Sequence, residues 1–186
     1  MLNHSGTRTL ETRRLILRRH GISDADDMYK NWVTDPEVSR FWTWLPHKNI
    51  GETKALLAGW MGEYARPDYY HWIIVLKHIN EAIGYIYLTA GDAADAVLSV
   101  HYALGRGYWN RGIMTEACLR VIDYAFAELN AEKIESWHHI DNPASGRVME
   151  KSGMKHVKTQ FRPFPDCERL SGSYRYYEIA NPDLRN

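Results

Sequence analysis

The chain has 186 residues, of which 45% are hydrophobic and 25% charged, a globular composition that excludes a disordered or fibrous protein and allows a sizeable core. Lys plus Arg and Asp plus Glu stand at 23 each, so the net charge is zero, which argues against a dedicated nucleic-acid binder with its basic excess. No segment approaches membrane-spanning or signal-peptide length, and Cys118 and Cys167 belong to no CxxC pair. The expectation is one domain over residues 1–186, with a core over about 10–180, that is cytoplasmic, reduced, bound to neither membrane nor nucleic acid, and monomeric or homodimeric.

"RRLILRR" (13–19) alternates as a strand with Leu15 and Leu17 on one face. In "SDADDMYKNWV", Ser23 stands as an N-cap with Asp26 three residues on, which predicts a short first helix. A second helix is expected over Ile50 to Tyr64, where Ile50, Thr53, Leu57, Trp60, Met61 and Tyr64 share a face. "YHWIIVLKHINEAIGYIYLTA" reads as a hairpin turning near Asn80 and Glu81, and "AVLSVHYALG" as a further strand. The third helix runs from about Ile113 to Leu129, burying Cys118, Val121, Ile122, Ala125 and Leu129. "KIESWHHI" is the next strand, and a helix follows that begins near Pro143 and ends at Gly153. "MKHVKTQ" and "SYRYYEIA" complete the sheet, with Tyr177 packed inward. This order predicts an α+β fold with a mixed sheet flanked by helices; the hairpins exclude an all-parallel doubly wound sheet.

"GYWNRGIMTEA" (107–117) places two glycines just before a helix start, where free N–H groups favour an anion. A dinucleotide fingerprint beginning at Gly105 and Gly107 fails at Asn110, and a P-loop fails at Ile113 and Met114. What remains is either a generic pyrophosphate cradle or a plain strand-to-helix turn. No His, Cys or Asp spacing reads as a metal site.

"YWNRGIMTEA" followed by "DNPASGRVMEKSGMK" resembles the GNAT (GCN5-related) N-acetyltransferase superfamily, and "LETRRLILR" with "DPEV" is similar to its ribosomal-protein-alanine N-acetyltransferase branch. The likeness extends over about residues 10–179 in the right element order. It implies a largely antiparallel sheet of about six or seven strands with about four helices and a splay between the two central strands. It also implies acetyl-CoA as co-substrate, with no metal, and an acceptor that is a small-molecule amine or a peptide N-terminus. The cradle would be Trp109, Asn110, Arg111, Gly112, Ile113, Met114 and Thr115; Trp109 and Met114 depart from the superfamily pattern of Arg/Gln and Gly/Ala at those positions. Ala103 and Leu104 would pair with the pantetheine, and Asn142 would contact the cofactor.

Ser145 would protonate the departing thiolate, its alternative being a helix-turn serine bonded to backbone. Ser99 stands where many members carry the glutamate base. His101, two residues on and on the same face, is a candidate to accept the proton, or else a packed strand histidine. His138 and His139 point to opposite faces, so one of them looks into the acceptor site. Trp42 and Trp44 could flank an amine by cation–π contact, or serve as loop-anchoring aromatics. The reading is direct transfer in a ternary complex to a primary amine; the alternative is a non-catalytic acyl-CoA-binding module of the same fold.

Overall fold

The continuous apolar run "WIIVL" shows where the core sits. In the computed structural model, which describes residues 1–90 and 96–184, strand β3 (Tyr70–Leu76) is buried along its whole length. Side chains alternate across a strand, so such a run needs cover on both faces. Trp72, Ile74 and Leu76 enter one hydrophobic cluster, while Ile73 and Val75 enter another on the opposite face.

The sheet has eight strands, in the order β1-β2-β3-β4-β5-β6-β8-β7. They are β1 (Leu10–Glu11), β2 (Leu15–Arg18), β3, β4 (Glu81–Ala90), β5 (Val97–Leu104), β6 (Lys133–His139), β7 (Lys155–Arg162) and β8 (Gly172–Ala180). The eighth beyond the expected seven is the two-residue β1, too short to leave a periodic signal. All pairings are antiparallel except β5 with β6. The turn into β4 falls at Asn80, whose φ of 51° is left-handed.

Helices cover both faces. On one side lie a mixed helical segment, α2 (Pro36–Ser39) and α3 (Ile50–Glu63); α4 (Ile113–Ala127) and α5 (Pro143–Lys151) cover the other. The mixed segment is a 3₁₀ turn (Ile22–Asp24), an α turn (Ala25–Met28, α1) and a wider π turn (Tyr29–Val33). Ser23 does not cap it. The chain enters at Gly21, whose N–H donates to the Asp24 carboxylate at 2.7 Å while Arg18 pairs with the same group. A cross-strand arginine thus recruits Asp24 and moves the cap two residues upstream. On α3, Thr53 and Leu57 are fully buried, but Met61 is 39% exposed because the helix has already left the sheet there. On α4, Cys118, Val121, Ile122 and Ala125 are buried as expected, and Leu129 is buried just beyond the helix end.

Strand β4 must run close against β5 at Gly84, where a Cβ would fall on the Ala103 carbonyl oxygen. Backbone cannot yield as a flexible side chain does. Gly84→Ala is therefore expected to lower stability by about 1–3 kcal/mol, read as a fall in Tm. An unchanged melt would show that the two strands can part there at no cost.

Candidate active site

The parallel pair β5–β6 is the defect from which the site is built. Its ladder extends over Val97↔Lys133, Leu98↔Ile134 and Ser99↔Glu135 and then stops. Beyond it β5 stays with β4 out to Leu104, whereas β6 stays with β8 out to His139. The two central strands thus splay. At the fork the Ser136 hydroxyl donates to the Val100 carbonyl at 2.8 Å, satisfying the first acceptor the ladder abandons. A cavity of about 300 Å³ passes through the opening, reaching from Ser145 and Met149 on the α5 side to Trp42, Trp44 and Tyr87 on the α3 side. Ala103 and Leu104, the expected pantetheine partners, lie on the stretch of β5 that has no ladder partner in β6.

At the end of β5 the chain turns through residues 105–112. Asn110 (φ 59°) and Gly112 (φ 68°) are both left-handed, and Gly112 is the residue from which α4 starts. The first N–H groups of α4, at Ile113, Met114 and Thr115, have no intrahelical carbonyl to bind. Ile113 and Met114 bury their side chains in the core. Met114 therefore packs inward, away from the turn that precedes α4. Trp109 is 39% exposed, and its ring N–H donates to the Leu104 carbonyl at 2.7 Å, holding the turn to the strand it follows. Arg111 is exposed, with its guanidinium 5.9 Å from the Tyr108 ring.

Two bracing residues escaped the sequence reading. Arg14 donates to the Arg111 carbonyl at 2.9 Å and pairs with Glu116 of α4 at 2.6 Å. The half-buried Glu116 carboxylate also accepts from Thr12 and from the Arg14 backbone N–H, and these bonds hold it below the ordinary carboxylate range against the opposing effect of burial. The signal was present in "TRRL" and "MTEA", but nothing local says that they meet.

Asn142 caps α5, its side chain accepting from the Ser145 N–H, and it also lines the fork cavity. Ser145 is half-buried in the first helical turn, and its carbonyl accepts from the Tyr102 hydroxyl at 3.0 Å, which ties α5 to the splayed end of β5. Burial keeps the Tyr102 phenol well above its ordinary pKa, so it remains a donor.

His138 is packed on the α5 side. Its Nδ1 lies 2.8 Å from the His139 carbonyl, which can only accept, so Nδ1 carries the proton and Nε2 the lone pair. That Nε2 is buried without a hydrogen-bond partner among the described residues, and burial lowers the ring's pKa. It sits 2.5 Å from where a Cβ on Gly146 would be, so the glycine makes room for the ring. His139 faces the other way, stacked with Phe41 at 5.6 Å.

On the α3 side, His101 is partly exposed, stacked on Tyr87 at 4.8 Å, with its Nε2 3.3 Å from the Thr89 hydroxyl. Ser99 is 1% exposed and donates to Glu135 of β6 at 3.0 Å. The carboxylate absent at position 99 thus stands on the neighbouring strand, reached through the serine. Trp42 and Trp44 stack on each other at 4.3 Å, and Arg169 donates to the Trp42 and Arg40 carbonyls, pinning their segment over the cavity. Cys118 is buried in α4, its thiol pushed up to about 11 by burial, and it does not line the fork. Among the described residues no cluster of His, Cys, Asp or Glu could hold a metal ion, and no helix is long and apolar enough to cross a membrane.

A mixed sheet split between its middle strands, with a helix N-terminus at one mouth of the split, defines the acetyltransferase class of α+β fold. The family model described as an acetyltransferase (GNAT) domain matches residues 14–155. The chain belongs to that family and is an N-acetyltransferase. A curated relative, the "Uncharacterized N-acetyltransferase p20" of Bacillus licheniformis, is 28% identical over 141 residues, covering 76% of this chain and 79% of its own. The structure of a GNAT-family acetyltransferase from Bacillus anthracis superposes with a TM-score of 0.81 at 20% identity, over 94% of this chain and 99% of its own. The microcin C7 self-immunity acetyltransferase MccE, solved with acetyl-CoA and AMP, superposes with a TM-score of 0.76 at 16% identity, over 91% of this chain and 93% of its own.

Proposed function

We propose that this protein transfers an acetyl group from acetyl-CoA to a primary amine, directly and in a ternary complex. The observation that carries the reading is that β5 runs from the fork cavity, which Val100, His101 and Tyr102 line, past the end of its β6 ladder to the turn from which α4 starts. On this reading the pyrophosphate lies over the turn of Trp109, Asn110, Arg111 and Gly112 and the first amides of α4, at Ile113, Met114 and Thr115. Each N–H aimed at a charged phosphate contributes about 1.5–3 kcal/mol. The pantetheine pairs with the free edge at Ala103 and Leu104 and brings the thioester into the fork beside Asn142 and Ser145. The presence of acetyl-CoA in the MccE neighbour is consistent with this path.

The amine enters from the side of Trp42, Trp44 and His101. Its nitrogen attacks the thioester carbonyl carbon, the C–N bond forms, the C–S bond breaks, and the proton lost by nitrogen ends on sulfur. On this reading His101 takes that proton, directly or through water. His138 offers a second lone pair on the far side of the fork, and Ser99 acts only through its bond to Glu135. Ser145 supplies the hydroxyl that protonates the thiolate. No acyl-enzyme is needed, since neither cysteine reaches the fork.

Calorimetric titration with acetyl-CoA, with ATP and NAD as controls, tests the cofactor, and release of CoA thiol over a panel of amines tests turnover. A folded sample that binds no acetyl-CoA would sink the reading; binding without turnover of any amine would favour the non-catalytic module. Ser145→Ala is expected to lower kcat on the order of 100-fold, the scale of a general acid, with acetyl-CoA affinity unchanged. Undiminished turnover in that variant would remove the serine from the mechanism.

A further inference from the structure

Among the described residues, the fork cavity is lined by Arg162 but by no carboxylate. The Arg162 guanidinium lies 4.8 Å from the Trp137 ring and 5.2 Å from the Phe164 ring. Among the described residues it forms no ion pair, and its charge rests on the two rings. A guanidinium held between two rings keeps its planar fork of donors oriented, and that geometry matches a carboxylate or a phosphate. Trp137 also meets His101 edge-on at 4.8 Å, so the free cation and the proton-accepting candidate share one wall.

Among the described residues the cavity offers aromatic faces and the Arg162 guanidinium, but no carboxylate to pair with an acceptor's charge. Its volume of about 300 Å³ suits a small molecule. From this we infer that the acceptor is a small amine that itself carries an anionic group, of the class of an apolar α-amino acid or its phosphonate counterpart, with Arg162 as the anion-binding residue. The inference rests on the transferase reading above and narrows its acceptor. The carboxylate lies against Arg162, the apolar side chain against Trp137 and Phe164, and the neutral amine turns toward the thioester. Attack forms the amide C–N bond, breaks the C–S bond and moves one proton from nitrogen to sulfur, giving an N-acetyl acid and CoA thiol.

The test titrates CoA-saturated protein with L-phenylalanine and L-methionine, with their carboxamides, and with the phosphonate analogue of phenylalanine, and then measures initial acetylation rates with acetyl-CoA. The acid or the phosphonate should bind about 10–100-fold more tightly than the amide, and whichever of the two binds better identifies the anion. Arg162→Gln should abolish that preference without changing acetyl-CoA affinity, and Arg162→Lys should restore part of it. Equal binding of acid and amide, binding of neither anionic probe, or an equal loss for both in Arg162→Gln would overturn the inference. A failure of acetyl-CoA itself to bind would instead strike the cofactor reading, so the two failures are distinguishable.

Discussion

Lowering the pH from about 7 to about 4 should unfold this protein, and two buried histidines should account for much of the loss. His20 and His71 are 4% and 5% exposed, with His20 Nε2 2.7 Å from His71 Nδ1. Trp60 packs on both rings, at 4.9 and 4.4 Å, and Tyr85 and Tyr87 stack on His71 at 5.5 and 5.0 Å. Among the described residues no carboxylate shifts either ring, and burial disfavours the charged form of both. Burial, with a smaller contribution from the Arg18 cation, pushes His20 down to about 3, and burial together with His20 lowers His71 well below its ordinary value.

Both groups are depressed in the folded state, so their stabilisation is whole above about pH 6.5, the unfolded value. It drains away as the pH falls from there toward the folded values, because the unfolded chain then binds protons that the native chain refuses. For His20 the window closes near 3. Each pH unit of that window costs the fold on the order of 1 kcal/mol per depressed histidine, and a modest domain has little stability to spare. His71 adds in the same direction. Urea midpoints followed by circular dichroism at several pH values would show the slope. The double variant His20→Gln/His71→Gln should flatten it below pH 6.5, and a wild-type midpoint that holds steady down to pH 4.5 would contradict the account.

The second large effect is expected at Gly112. Its φ of 68° is left-handed, a conformation that costs an ordinary L-residue about 1–2 kcal/mol and a β-branched one more. Space is not the obstacle, since a Cβ there would meet only the end of Arg14, at 3.7 Å. Gly112→Val should therefore fold, but with the peptides around residue 112 rotated away from the mouth. If two N–H groups worth about 1.5–3 kcal/mol each lose their aim, acetyl-CoA affinity falls roughly 10²–10⁴-fold. The melt should move little by comparison. Unchanged affinity by calorimetry would mean that the pyrophosphate lies elsewhere.

Residues 70–90, α3 and α4 were legible because their signals are local. A buried strand reads as "WIIVL", and an amphipathic helix repeats its apolar residues on a helical period. The turn before α4 was legible for the same reason: Asn110, Gly112 and the start of α4 are contiguous, and left-handed residues before a helix need no distant partner. Even so, Ser23 failed as a cap because Arg18, on a strand, drew Asp24 into a different bond with Gly21.

The sequence by itself determined the class of fold, the order of its elements and the turn from which α4 starts. Only the tertiary structure decided which side chains meet around the fork. Glu135 stands opposite Ser99 because β5 and β6 pair in parallel for three residues and then part. His138 meets Gly146 because α5 folds back over β6. Arg162 meets Trp137 because β7 and β8 bring the far end of the chain to the same opening. Each of these contacts depends on strand register, and a shift of one residue would turn every side chain involved to the opposite face.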